Sequence, residues 1–264
     1  MGALSRSRTP GDGRPSDRVA LQPPEEERPP STPRSVARNA AAAYAGEIVA
    51  KASSVAFFVV MARELGEGRF GHFIFALSLT SVLILVAGLG TDSLLEREVA
   101  RDRSGAREYV RQVSRLKAIT AAGLLMLAAV IVNVAGYPPE ARLAVYLVGA
   151  GVLVEHLSKT RYAAFMAYEQ MRYMSLSIIV QRTLTAIVGV ALLLTGAGLV
   201  AVSIVFLGGA LVALVVAELS FRRLVERGPA GDTHTLAWRR LIRAGLPIGV
   251  TSLLFTVLLK LDAV

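Results

Sequence analysis

Six ionisable or carboxamide side chains interrupt stretches that are otherwise apolar: Glu47 and Lys51, Gln181 and Arg182, and Lys260 and Asp262. An ionisable group at the centre of a membrane helix costs roughly 2.5–3.5 kcal/mol on insertion scales, so it turns toward a bundle interior or a wet cavity. Glu47 and Lys51 are four residues apart, on one helix face, where they can pair. Such a pair serves equally as a self-neutralising aid to insertion and as the charged lining of a cavity. Arg182 has no acidic residue one turn away in its own segment. It either pairs with Glu47 across the bundle or holds an anionic ligand, and its planar fork can donate two parallel hydrogen bonds to a phosphate. Pro247 would kink the segment carrying Lys260 and Asp262, which either face a cavity or mark the outer end of that segment. Asn39 reads as a helix N-cap and Asp92 as the cap of a loop helix, with ligand roles the lesser alternative.

The elements that must position these groups are membrane helices. The chain has 264 residues, 53% of them apolar, and a mean hydropathy of +0.52, too high for an ordinary water-soluble domain. Hydrophobic runs of near-spanning length lie at about 40–62, 72–90, 117–136, 142–158, 174–195 and 199–220. A seventh begins near 241 and is cut by the last residue, Val264, which suggests a longer parent protein. The fourth run is the shortest and extends at most through Lys159, whose long side chain can reach the headgroups. The expected fold is therefore all-α. It comprises a disordered tail (1–36), a bundle of six spans (37–220), a loop (221–240) and a truncated seventh helix (241–264). The tail is rich in Pro, Arg, Ser and Glu and lacks the apolar core of a signal peptide.

Loop charges orient the bundle. Alternate connecting segments carry 23 Lys and Arg on one side and 3 on the other. The rich side is expected to be cytoplasmic, with the N terminus inside. The same asymmetry explains the net charge of +9 without nucleic acid. Two basic loops look helical. Residues 93–115 gather Leu94, Leu95 and Val99 on one face, and residues 160–173 offer Tyr162, Phe165, Met166 and Tyr173 as interfacial anchors. Each either lies on the membrane surface or extends a helix that packs on the bundle.

Several chemistries find no support. The chain has no cysteine, which removes disulfides, thiol catalysis and thiolate-held metal. Its three histidines, His72, His156 and His234, fall in separate segments without ligand spacing. No phosphate-binding loop or nucleophile elbow occurs, so neither an enzyme with a soluble active site nor a cofactor is expected. Gly149 and Gly151, like Gly208 and Gly209, read as points of close helix approach.

Three segments carry a resemblance. Ala62-Arg63-Glu64-Leu65-Gly66-Glu67-Gly68-Arg69-Phe70-Gly71-His72-Phe73 is similar to the AR-x-LG-x-x-x-FG-x-(Y/F) signature between the first two spans of polysaccharide flippases. Gly88-Leu89-Gly90-Thr91, followed by Arg97-Glu98-Val99-Ala100-Arg101, resembles their GL(D/G)…REVAR motif. Trp238, Leu246-Pro247 and Lys260-Leu261-Asp262 resemble the pattern of their seventh span. One departure is Gly90, where many relatives carry an acidic residue. The family is the Wzx-like branch of the multidrug/oligosaccharidyl-lipid/polysaccharide exporter superfamily.

The resemblance implies two six-helix bundles about a central cavity, of which this chain would supply the first and the opening of the second. It implies alternating-access transport of undecaprenyl-diphosphate-linked oligosaccharide across the bacterial cytoplasmic membrane. Membrane lipids are implied partners, and polysaccharide polymerase and glycosyltransferases are candidate ones. In that frame Lys51 and Arg182 would hold the diphosphate. A cation-coupled multidrug exporter of the same superfamily would favour acidic cavity residues with aromatics, and Glu47 is the one acid plainly in mid-span here. A membrane-embedded polysaccharide-assembly enzyme or scaffold is a rival from another class. Such enzymes need acidic or histidine residues in a large loop, and the longest loops here are short and basic.

Overall fold

In a computed structural model, residues 33–88 and 90–226 are described, with side chains from Gly46 onward except those of 85–87. The tail before residue 33, the loop after Glu226, and the expected seventh helix with Pro247, Lys260 and Asp262 lie outside the described residues. The chain divides into two units, Met1–Ala40 and Ala41–Val264. Of the first, only the helical backbone of residues 33–40 is described. The second holds all of the described side chains.

The described secondary structure is helical, with no strand among the described residues: α1 Pro33–Gly88, α2 Thr91–Arg101, α3 Ala106–Val134, α4 Pro139–Ala167, α5 Met171–Leu194 and α6 Leu199–Val225. By length and composition, α3, α4, α5 and α6 can each cross a membrane. The two spans expected at 40–62 and 72–90 fall in the 56-residue α1. In place of the loop between them stands a single break at Gly66, with φ 72° and ψ 169°. That backbone region is almost closed to residues with a Cβ, so one glycine turns the chain without a loop. Because α1 starts at Pro33, Asn39 lies within helical backbone rather than at an N-cap. The fourth run is also longer than expected. Its helix, α4, has 29 residues, running from Pro139 to Ala167 and so past both ends of the run expected at 142–158.

Three helix ends share one device. At Gly136, Glu169 and Gly196 the backbone enters the left-handed region. The following amide then reaches back to a carbonyl in the last turn: Tyr137 to Val132 at 3.2 Å, Gln170 to Phe165 at 2.8 Å and Ala197 to Leu192 at 3.1 Å. Carbonyls that would otherwise be orphaned at the helix ends are thereby satisfied, and each connection to the next helix takes only three or four residues.

Helix α4 is the hub, packing against α2, α3, α5 and α6. One apolar core gathers Phe57, Met61 and Phe73 of α1 with Ala128, Val145, Val148 and Leu193. A second, at the arginine-rich end, gathers Leu94, Leu95 and Val99 of α2 with Val113, Phe165 and Phe221. The basic loop at 93–115 is thus two helices whose apolar face is buried in the bundle, the second of the two sequence alternatives. Phe165 is likewise fully buried and is no interfacial anchor.

Small residues allow the close approaches. A Cβ on Gly149 would meet Leu125 and Thr80, and one on Gly151 would meet Phe206. Gly209 faces Thr185 in the same way, whereas a Cβ on Gly208 would meet nothing within 4 Å among the described residues.

The two ends of the bundle are distinct. The Gly66 break and the α3–α4 turn lie together, joined by the Arg69–Glu140 ion pair at 3.2 Å and by Phe75 stacked on Tyr137. At the other end, Tyr168 Oη donates to the Arg103 carbonyl at 3.0 Å, joining the α4–α5 and α2–α3 turns.

Candidate functional site

The described candidates meet between α1 and α5. Their positions follow from helix length: Arg182 lies eleven residues beyond Met171 in α5, about 16 Å along the axis and therefore near mid-helix. Glu47 and Lys51 pair at 3.0 Å on α1. They line a cavity of about 250 Å³ with Arg182 and Met174, Ser175 and Ile178 of α5. Arg182 also lines an adjoining cavity of about 190 Å³ with Ser54, Glu155 and Gln181. Arg182 therefore sits between the two spaces.

Its partner is not Glu47. The Arg182 Nη1 donates to Ser54 Oγ at 3.1 Å, and that hydroxyl donates to the Ala50 carbonyl at 3.0 Å. Glu47 is engaged by Lys51 on its own helix, where a four-residue spacing makes the contact local. A guanidinium has five N–H donors, so the bond to Ser54 leaves most of them available. Nor do these groups point into the bundle interior, which Phe57, Met61 and Phe73 fill. Glu47, Lys51 and Arg182 are exposed on one outward face.

Glu155 was not singled out from the sequence. It lies within the run expected at 142–158, four residues before Lys159. Because α4 continues to Ala167, Glu155 sits near the middle of the helix. There it is half-buried and accepts a hydrogen bond from the Gln181 carboxamide. Aromatic rings of Phe57, Phe58 and Phe206 line the same space. The signal that could have found it is the dipeptide Glu155-His156 between apolar neighbours.

A second buried pair lies toward the arginine-rich end. Lys117, counted from the sequence as a loop cation, has a side chain with 0% exposure, and its Nζ donates to Asp92 at 2.5 Å. Asp92 is therefore the counter-ion of a buried ammonium and makes no cap. The N-cap of α2 is Gly90, in left-handed conformation. Nearby, the turn from α2 to α3 closes on Asp102. Its carboxylate accepts from the Ser104 hydroxyl at 2.5 Å, the Ser104 amide at 3.0 Å and Tyr109 Oη at 3.1 Å. The Ser104 hydroxyl, with the Tyr109 and backbone bonds behind it, holds this carboxyl below the usual carboxylate range.

The arrangement can present a cation with spare donors, an ion pair and a carboxylate to a solute held in the two cavities that share Arg182. It contains no nucleophile–base pair. The family model described as "Polysaccharide biosynthesis protein" matches residues 36–264. No curated protein and no solved structure matches the chain. The chain belongs to the polysaccharide biosynthesis protein family, that of the Wzx-like flippases, and is a transmembrane protein.

Proposed function

We propose that this protein moves undecaprenyl-diphosphate-linked oligosaccharide from the inner to the outer leaflet of the bacterial cytoplasmic membrane, by alternating access and with its N terminus inside the cell. In this reading the described helices form one wall of the passage. Six spans face a second bundle that begins with the helix carrying Lys260 and Asp262. The carrying observation is the outward face of α1 and α5, where Arg182, with donors to spare, joins two cavities at mid-helix. Charge at that depth is unfavourable against hydrocarbon, so the face is best satisfied by a water-lined space opposite a second bundle. Lys51 and Arg182 would bind the diphosphate and Gln181 a sugar hydroxyl. The lipid tail would remain in the bilayer.

The test is transport in vesicles. Arg182→Ala in the intact protein, inserted at wild-type level, is expected to lose movement of a fluorescent lipid-diphosphate oligosaccharide. Wild-type transport by this variant would remove Arg182 from the mechanism.

A second reading gains one observation. Glu155, beside three phenylalanines, supplies the acidic, aromatic cavity that a cation-coupled small-molecule exporter would use. Uptake of an organic cation by the same vesicles, abolished by Glu155→Gln, would favour it over the flippase reading.

A further inference from the structure

A further cavity lies away from that face. It occupies about 560 Å³ at the arginine-rich end, between α3 and α6, with α4 as its floor. Arg107, Arg111 and Arg115 recur every fourth residue and so form one wall of it along α3. Arg161 of α4 and Arg222 of α6 complete five guanidinium groups, set against two lining carboxylates, Glu218 and Glu226. Glu218 already accepts from both Arg161, at 3.1 Å, and Arg222, at 2.8 Å. Arg111 pairs with Glu108. Arg107 and Arg115 lie within 4 Å of no carboxylate among the described residues, although Arg115 also acts on Glu108 at longer range. The groove is thus cationic after its internal pairing is complete.

Its lining changes along its length. Beyond the arginines come Ala118, Leu157 and Leu214, and the outer surface continues with Ile119, Leu211 and Val215, all exposed. From Arg107 to Ala118 the groove runs about 16 Å along α3, from guanidinium to hydrocarbon. A phospholipid presents that same gradient from its phosphate into its acyl chains. Both α3 and α6 pack on α4 and scarcely on each other, so the groove is open sideways. Charges that only set topology need no concavity, whereas these line one at helical spacing.

We infer that this groove is a binding site for an anionic phospholipid of the leaflet at the arginine-rich end. The lipid phosphate is held by Arg107 and Arg115, and its acyl chains lie along Ala118 and Leu214. Bidentate guanidinium–phosphate bonds supply the headgroup contact, and juxtamembrane cations add attraction to an acidic leaflet. The site is separate from the α1–α5 face, and it stands whether or not the transport reading does.

Native mass spectrometry of the detergent-solubilised intact protein tests it, with dioleoyl phosphatidylglycerol as the probe and dioleoyl phosphatidylcholine as the neutral comparator. Retention of phosphatidylglycerol over phosphatidylcholine by at least tenfold is expected. The double variant Arg107→Gln/Arg115→Gln, whose partners are not left buried and unpaired, is expected to lose that preference. The variant Arg97→Gln/Arg101→Gln removes equal charge from exposed positions of α2 at the same end and is expected to keep it. Equal loss in both variants would show a general attraction of the basic end and overturn the site. Displacement of the lipid by millimolar inorganic phosphate would show a plain anion site and also overturn it, as would equal retention of the two lipids.

Discussion

Lys117→Met is the perturbation whose outcome follows most directly from the packing. Methionine keeps the length and apolar volume of the lysine stem, so the fully buried side chain leaves no cavity. What is lost is the 2.5 Å bond to Asp92. Removing one partner of a buried ion pair costs about 3–5 kcal/mol, because the other charge is stranded. The Asp92 side chain retains 32% exposure, so water relieves part of that penalty and the lower end, about 3 kcal/mol, applies. For a chain of this size such a loss lowers the midpoint of thermal unfolding by about 6–12 °C. The assay is thermal unfolding in detergent of Lys117→Met, Asp92→Asn and the double variant. The double variant should recover at least about half of the Lys117→Met loss, since neither charge is then stranded. A loss for Lys117→Met below about 1 kcal/mol, or strict additivity in the cycle, would refute the reasoning.

Three further outcomes follow from local geometry. Gly209→Ala drives a Cβ into Thr185 and should cost about 1–3 kcal/mol, whereas Gly208→Ala meets nothing within 4 Å and should be neutral or gain up to about 1 kcal/mol in helix propensity; paired thermal melts decide it. Gly66→Ala also meets nothing within 4 Å, so its expected loss of about 1–3 kcal/mol is backbone strain alone and should appear as a lower unfolding midpoint. Asp102 has a native pKa below the ordinary 3.8. Its contribution is therefore fully present above about pH 4 and is lost as pH falls through the lower native value. Ser104→Ala should destabilise at pH 6 and converge with the wild type in more acidic solution; a constant difference across that range would contradict the assignment.

The sequence carried the helical class and the pairing of Glu47 with Lys51, because each depends on spacing along one helix. It did not carry contacts made across the bundle. Asp92 and Lys117 are separated by 25 positions, and nothing in either neighbourhood announces that one neutralises the other. Glu155 lay inside the fourth expected run, but hydropathy averaged over a window passes over a single charge, and its partner Gln181 is on another helix 26 positions away. A connection was expected between the runs at 40–62 and 72–90, but hydropathy cannot show that one glycine, Gly66, breaks the helix there without a loop. The division of residues 93–115 into two helices could have been read from Asp102-Arg103-Ser104-Gly105, a run of turn-forming types in which Asp102 bonds the chain two residues on. Gly208 and Gly209 look alike in sequence, and only the neighbouring helix distinguishes them.

Everything proposed about transport depends on water reaching the α1–α5 face at membrane depth. The chain has no cysteine, so a single introduced thiol reports without background. Ser54→Cys, beside Arg182, and Met126→Cys, exposed on α3, can each be treated in the membrane with a hydrophilic, membrane-impermeant thiol reagent. Rapid labelling of Ser54→Cys, competed by lipid-linked oligosaccharide, with little labelling of Met126→Cys, is the predicted result. Labelling of Ser54→Cys no faster than that of Met126→Cys would contradict the account.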